Sequence, residues 1–429
     1  MPRTGPPGRR GGFAIRVPQN GGTPQLYRMP GLTLWPTPLR GKLPAVEAVL
    51  GVDPEANELF VRTVKHELLA LDLESGRVDT VTVDASVAAL GPDGTVYAID
   101  ARHRVATLSH RVRLTWSRPL EGEPRELFGG ADERLVAVIG GDHASIIVAA
   151  ADQPPVTRPL PADGDVATSR WADLVAVASD SGVHLLDPLG RREAGFVPIA
   201  DHPRALVFSP SGHRVYVGSR SGMGLAVIDR YALKEIDGVA LPTPAAALRL
   251  DPYGQWLLAR PPMGDTVWVV DLPVKRLVGG LPTAWYADLP TVSPDGALLV
   301  RSGSDVVSMR PDSLIAIGRV PGSASDFWVA TDWAPRGAAQ EANAGATASG
   351  DSLGGEGNMY VQVSVSRNAT WSQQMAEELT RAGLAAKVLP PATIDEGYRV
   401  VLGPYGSRDQ AEAIGRKLGR PYWIYHPGQ

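Results

Sequence analysis

Between residue 46 and about residue 323 the chain repeats itself at intervals of about forty residues, and this period limits its fold more than any other feature. Two local signals mark most of the periods. The first is a tight Pro-x-Gly turn, at Gly91-Pro-Asp-Gly94, Ser209-Pro-Ser-Gly212, Asp251-Pro-Tyr-Gly254 and Ser293-Pro-Asp-Gly296, with Asp53-Pro-Glu-Ala56 a more degenerate copy. Proline presets the first φ of such a turn, and glycine accepts a positive φ. The second is an apolar strand ending in aspartate: Leu69-Ala-Leu-Asp72, His184-Leu-Leu-Asp187, Ala226-Val-Ile-Asp229 and Trp268-Val-Val-Asp271. Aspartate there can close an Asx-type turn into the following strand. Forty residues is the length of a four-stranded propeller blade, so the expected fold class is mainly β, with a β-propeller over residues 25–334.

Repeat units begin near residues 46, 85, 123, 164, 201, 244 and 284, which predicts seven blades. The second to fourth units lack one or other signal, and counts of six or eight stay open. Gln25-Leu-Tyr-Arg28 and Asp326-Phe-Trp-Val-Ala330 are further strand-like pieces, one before the repeats and one after. Sharing one blade, they would close the ring and remove its exposed sheet edges. With Val215-Tyr-Val-Gly218 as the nearest local match, the region resembles YVTN-type and WD-like propellers, a resemblance that implies a fold and says little of function.

Chemistry on the propeller has few candidate carriers. Its histidines, at 66, 103, 110, 143, 184, 202 and 213, are dispersed, and no His-x-His, His-Glu-x-x-His, acidic calcium loop, Gly-x-Ser-x-Gly elbow or phosphate-binding loop is present. The turn aspartates serve the backbone first. The expectation is a binding protein with no cofactor, no metal site and no catalytic residues; the alternative is a propeller enzyme, lactonase-like or metal-dependent.

Residues 358–429 follow a different rhythm. Met359-Tyr-Val-Gln-Val-Ser-Val365 alternates valine with Tyr360, Gln362 and Ser364, which predicts a half-buried strand. A helix over 368–383 is expected from Trp371, Met375 and Leu379, capped by Asn368 or Thr370 and stopped at Gly383. Ala386-Lys-Val-Leu-Pro390 and Tyr398-Arg-Val-Val-Leu402 suit two central strands, the second broken by Gly403-Pro404. A second helix follows from Ser407 or Asp409 to Leu418, and Tyr422-Trp-Ile-Tyr425 supplies a last strand. The order βαββαβ predicts a small α+β, ferredoxin-like domain whose helices cover one sheet face and leave the other open.

Tyr360-Val-Gln-Val363, Tyr398-Arg-Val-Val-Leu-Gly-Pro-Tyr405 and Ser407-Arg-Asp-Gln-Ala-Glu412 resemble the SPOR domain of bacterial cell-envelope proteins, over about one sixth of the chain. The usual Gly-Ser/Ala-Phe after the first strand is replaced here by Ser364-Val365-Ser366. The resemblance implies a non-catalytic module that binds peptidoglycan, favours glycan strands stripped of stem peptides, and acts in the envelope, including at division sites. By strand alternation the open face carries Tyr360, Gln362, Ser364, Arg399 and Val401, with either Trp423 and Tyr425 or Tyr422 and Ile424 beside them. Such residues suit an uncharged polysaccharide: glutamine offers both donor and acceptor to hydroxyls and N-acetyl amides, and aromatic rings cover the apolar faces of sugars.

The ends and the connection complete the division. Residues 1–45 hold seven basic residues and no acidic one, among Gly and Pro, and 1–24 are expected to form a solvated basic tail. Residues 335–357 contain no aromatic and should be a flexible tether, about 25–30 Å in root-mean-square span. A formal charge of −4 argues against a nucleic-acid protein, and the absence of cysteine excludes disulfides and thiolate chemistry. No run reaches transmembrane length and the start lacks the apolar core of a secretory signal, so the envelope location implied by the resemblance requires a removed leader, a different start or an unusual export route. The expected partners are glycan strands for the terminal domain and an unidentified protein for the propeller.

Overall fold

A computed structural model describes residues 12–336 and 359–425, leaving out short internal stretches of which the longest are 116–121, 188–192, 367–371, 391–397, 406–410 and 416–421. The chain divides into two compact units, Met1–Gln340 and Glu341–Gln429. Among the described residues the first contains eight four-stranded antiparallel sheets, one more than the repeat count. Seven are the predicted units, with first strands at Val46–Asp53, Val87–Leu90, Glu123–Gly129, Val166–Thr168, Pro203–Phe208, Ala247–Leu250 and Thr291–Val292. We number these blades 1 to 7. The eighth is spliced from the two ends of the propeller: Phe327–Thr331 pairs with Phe13–Val17, which pairs with Gln25–Arg28 and then Thr33–Leu34. The two extra strand pieces therefore do share a blade, and the count of seven becomes eight because no single stretch of sequence spells the last one. The expected tail over 1–24 is corrected by the same observation, since Phe13–Val17 is a strand in which Ala14, Ile15 and Val17 are fully buried.

Second strands are apolar at nearly every position, as in Leu135–Gly140 and Val175–Ser179, because a blade is buried on both faces. Tyr97 and Ile99 pack on Leu135, Ala137 and Ile139 of the next blade, whereas Val96 and Ala98 pack back on Phe60, Leu68 and Ala70. The same alternation joins every neighbouring pair around the ring, ending where Leu289, Leu299 and Val306 meet Ala14, Tyr27 and Trp328, and where Ile15 and Val17 meet Leu59, Val61 and Leu71. The turns behave as their residues dictate. Gly94, Gly212, Gly254 and Gly296 all have φ between 71 and 88° and donate to the carbonyl three residues back. Asp72 Oδ1 accepts from the amides of Glu74 and Ser75, and Asp229 Oδ1 from that of Ala232. Blade 4 makes the same turn without Pro or Gly: Ala172 holds φ 47° and donates to Ser169 O at 2.9 Å.

The terminal unit is a four-stranded antiparallel sheet in the order Ala386–Leu389, Tyr398–Tyr405, Met359–Ser366, Trp423–Tyr425. This is the ferredoxin-like arrangement, with helical residues within 372–380 and 411–415 supplying Ala376, Leu379 and Ala411 to a core with Val361, Val363, Val400 and Leu402. Two expectations are corrected. Ala386–Leu389 is an edge strand, since the strand from Met359 takes the centre beside Tyr398–Tyr405. Gly403-Pro404 does not end its strand: pairing resumes at Met359 with Tyr405 after a register shift, which absorbs the missing proline donor. The cap candidates Asn368, Thr370, Ser407 and Asp409, Gly383, and most of the tether at 337–357 lie outside the described residues.

Candidate functional site

Cross-strand register sets one row on the sheet face turned away from the helices: Lys387 opposite Val401, Val401 opposite Gln362, and Gln362 opposite Trp423. Tyr360 stands opposite Tyr425 one step along, and Arg399 precedes Val401 by two residues on the same strand. Tyr422 and Ile424 belong to the helix-side core, which leaves Trp423 and Tyr425 at the register positions of Gln362 and Tyr360. The side chains of Trp423, Tyr425 and Ser364 are outside the described residues.

Val401 is fully buried and Tyr360 is 5% exposed, so both form a floor rather than an accessible surface. Alternation gives the face of a residue and not its depth. Above that floor, Arg399 Nη1 donates to Gln362 Oε1 at 3.2 Å, and Lys387 Nζ donates to the Tyr360 hydroxyl at 2.8 Å while standing 4.2 Å from the centre of its ring. Each cation is thereby held near a neutral partner, and the bond from Arg399 occupies the oxygen of Gln362 rather than its amide nitrogen. Ser364 departs from the expected row. A bulge between Gln362 and Ser364 inserts one residue, setting Ser364 opposite Val400 and Val365 opposite Arg399. Lys387 was not among the expected site residues. The alternation used for the other strands would have found it, because Lys387 lies between Ala386 and Val388, both of which pack on the helix side.

In the first unit, His66, His103 and His202 occupy turn positions at φ 54–64°. His184 stacks on Phe196 at 4.7 Å. His110 and His143 lie outside the described residues. No three His, Asp or Glu side chains gather in a metal-binding group among the described residues.

Residues 355–420 match the family model of the SPOR domain. The βαββαβ sheet and its open face are thus the geometry of a recognised module. No curated protein matches the sequence as a whole. Among solved structures, dihydro-heme d1 dehydrogenase NirN in complex with DHE is similar with a TM-score of 0.55 and 12% identity, over 73% of this chain and 73% of that one. AztD from Citrobacter koseri is similar with a TM-score of 0.51 and 10% identity, over 76% and 99%, and its apo form with 0.53 and 10%, over 75% and 98%. At these identities the likeness establishes a β-propeller fold and nothing of chemistry.

Proposed function

We propose that the protein binds peptidoglycan glycan strands through the open sheet face of its terminal unit and displays the propeller as a rigid surface for a protein partner in the bacterial envelope. The observation that carries this reading is Gln362 and Arg399 hydrogen-bonded together above the buried Val401, within the region that matches the SPOR domain. SPOR domains bind peptidoglycan, and a face that offers amide and guanidinium donors over an apolar floor suits a hydroxyl- and amide-rich polymer. Tyr360 and Val401 support the face from below, and Lys387 extends it. Trp423 and Tyr425 stand at its far edge by register.

The test is retention of the full chain on purified sacculi. The wild-type chain is expected to sediment with them, and the pair Gln362→Ala with Arg399→Ala to lower retention at least tenfold. Equal retention of the two would remove the assignment of this face. The alternative of a catalytic propeller is tested by metal and cofactor analysis of the purified chain, where a stoichiometric group would favour an enzyme.

A further inference from the structure

In blade 6, Ala247–Leu250 pairs with Trp256–Arg260 so that Arg249 stands opposite Leu258 and Ala247 opposite Arg260. Leu258 packs against Val292, Leu298 and Val300 of blade 7. The same parity turns Arg249 and Arg260 toward blade 7 as diagonal neighbours, close enough for long side chains to share a ligand.

Arg249 reaches the loop that leads into blade 7. Its Nη2 donates to the carbonyls of Tyr286 at 3.0 Å and Ala287 at 2.9 Å, its Nη1 donates to that of Pro290, and the guanidinium lies 4.7 Å from the centre of the Trp285 ring. Burial pulls this guanidinium below its ordinary pKa, opposed by the charge of Asp288. Among the described residues, the carboxylate whose charge acts on Arg249 is already engaged: Asp288 takes Arg301 in two parallel bonds of 2.9 Å and also accepts from the amides of Leu289 and Trp328. Arg260 differs from both other arginines. Its Nε is sealed from solvent without a hydrogen-bond partner, and no ion pair reaches it among the described residues. Asp288 thus answers both Arg249 and Arg301. A partly buried guanidinium without an acceptor is costly to maintain, and its planar fork matches an oxyanion in two parallel bonds.

We propose that Arg249 and Arg260, with the aromatic loop at 283–290, form a binding site for a small molecule presenting an oxyanion, phosphate or carboxylate, at the junction of blades 6 and 7. Arg260 supplies a guanidinium whose Nε has no partner, Arg249 the neighbouring charge, and Trp285 and Tyr286 the aromatic loop beside them. Tyr286, with the Arg301 guanidinium 4.4 Å from its ring centre, is 51% exposed, so the loop itself reaches solvent. This inference goes beyond wall binding and does not depend on it.

Calorimetric titration of the full chain at constant ionic strength, with inorganic phosphate and with succinate in separate arms against a chloride background, tests the site. Saturable binding of either probe is expected, the stronger one identifying the head group. Arg260→Gln should weaken it at least tenfold, while Arg158→Gln, which removes another buried and unpaired Nε in blade 3, should leave it unchanged. In chloride alone, Arg260→Gln should keep the melting temperature of the wild-type chain. No binding beyond chloride, or equal affinity in a folded Arg260→Gln chain, would overturn the proposal. If Arg260→Gln does not fold, Arg260→Lys keeps the charge and loses the fork; at least a threefold weakening is expected, and unchanged affinity would overturn it.

Discussion

Removing the Asp288 carboxylate tests what fastens the last repeat to the spliced blade. Its side chain is 8% exposed and that of Arg301 10%, so the pair is desolvated on both sides. Asp288→Ala deletes two guanidinium bonds and the acceptor for the amides of Leu289 and Trp328, and leaves Arg301 charged with the carbonyls of Ala324 and Asp326 and the face of the Tyr286 ring. Breaking a buried pair from one side costs about 3–5 kcal/mol, mostly through the uncompensated charge. Melting temperature moves about 2–4 °C per kcal/mol in domains of 150–250 residues, and no more than about 2 °C per kcal/mol is expected in a propeller of this size. The expected fall is therefore several degrees and at most about 6–10 °C by calorimetry. Arg301→Met in the same chain should return much of the loss, giving a coupling above about 2 kcal/mol in a double-mutant cycle. A loss below about 1 kcal/mol, or additive single changes, would place the pair with ordinary surface ion pairs and refute the argument from burial.

Further outcomes follow from other parts of the ring. Gly212→Ala forces φ 71° on a residue with a Cβ whose nearest neighbour is 3.4 Å away, so the cost is conformational, about 1–2 kcal/mol by denaturant unfolding. Trp333→Phe removes the 2.7 Å bond from Nε1 to Asn57 Oδ1 and should cost about 1 kcal/mol. Asp173 is drawn up by burial, but its bonds to the Arg230 guanidinium and the Ser169 hydroxyl outweigh this and hold it below the usual carboxylate range. A lowered native pKa stabilises at every pH above the unfolded value of about 3.9 and is lost as pH falls through the native value. Chemical denaturation from pH 6 to 3 should show that loss below about pH 4, and Asp173→Asn should reduce it.

Most of the propeller was legible because its turns are local chemistry: proline, glycine and aspartate at fixed offsets name a turn wherever they stand. Blade 4 hides its turn because Ala172 holds a positive φ at 47° that glycine normally signals. Blade 8 was legible only as fragments, since its strands lie about three hundred residues apart in sequence and meet through pairing alone. In the terminal unit, period-two alternation assigned Gln362 and Arg399 to one face. It could not foresee the bulge that resets Ser364, which depends on the partner strand, nor the complete burial of Val401. Edge or centre is likewise decided by strand order, which places Ala386–Leu389 at the edge, whereas Lys387 was within reach of the same alternation.

The spliced blade also determines where the chain can be shortened. A boundary at residue 24, natural from the Gly- and Pro-rich sequence, would delete Phe13–Val17, the strand that joins Phe327–Thr331 to Gln25–Arg28. Phe13, Ile15 and Val17 are at most 3% exposed, and each such side chain contributes about 1.5–3 kcal/mol on burial. Their removal would forfeit about 5–9 kcal/mol, comparable with the whole stability of an ordinary domain. It would also bare two strand edges inside the blade, and unpaired edges recruit other chains. A chain beginning at residue 25 should therefore aggregate or elute as high-mass species in size-exclusion chromatography, while one beginning at residue 12 should remain monodisperse. If the shorter chain melted cooperatively at the temperature of the longer one, ring closure by the N-terminal strand would contribute little, and the last sheet would have to be held by its packing on Leu289, Leu299 and Val306 alone.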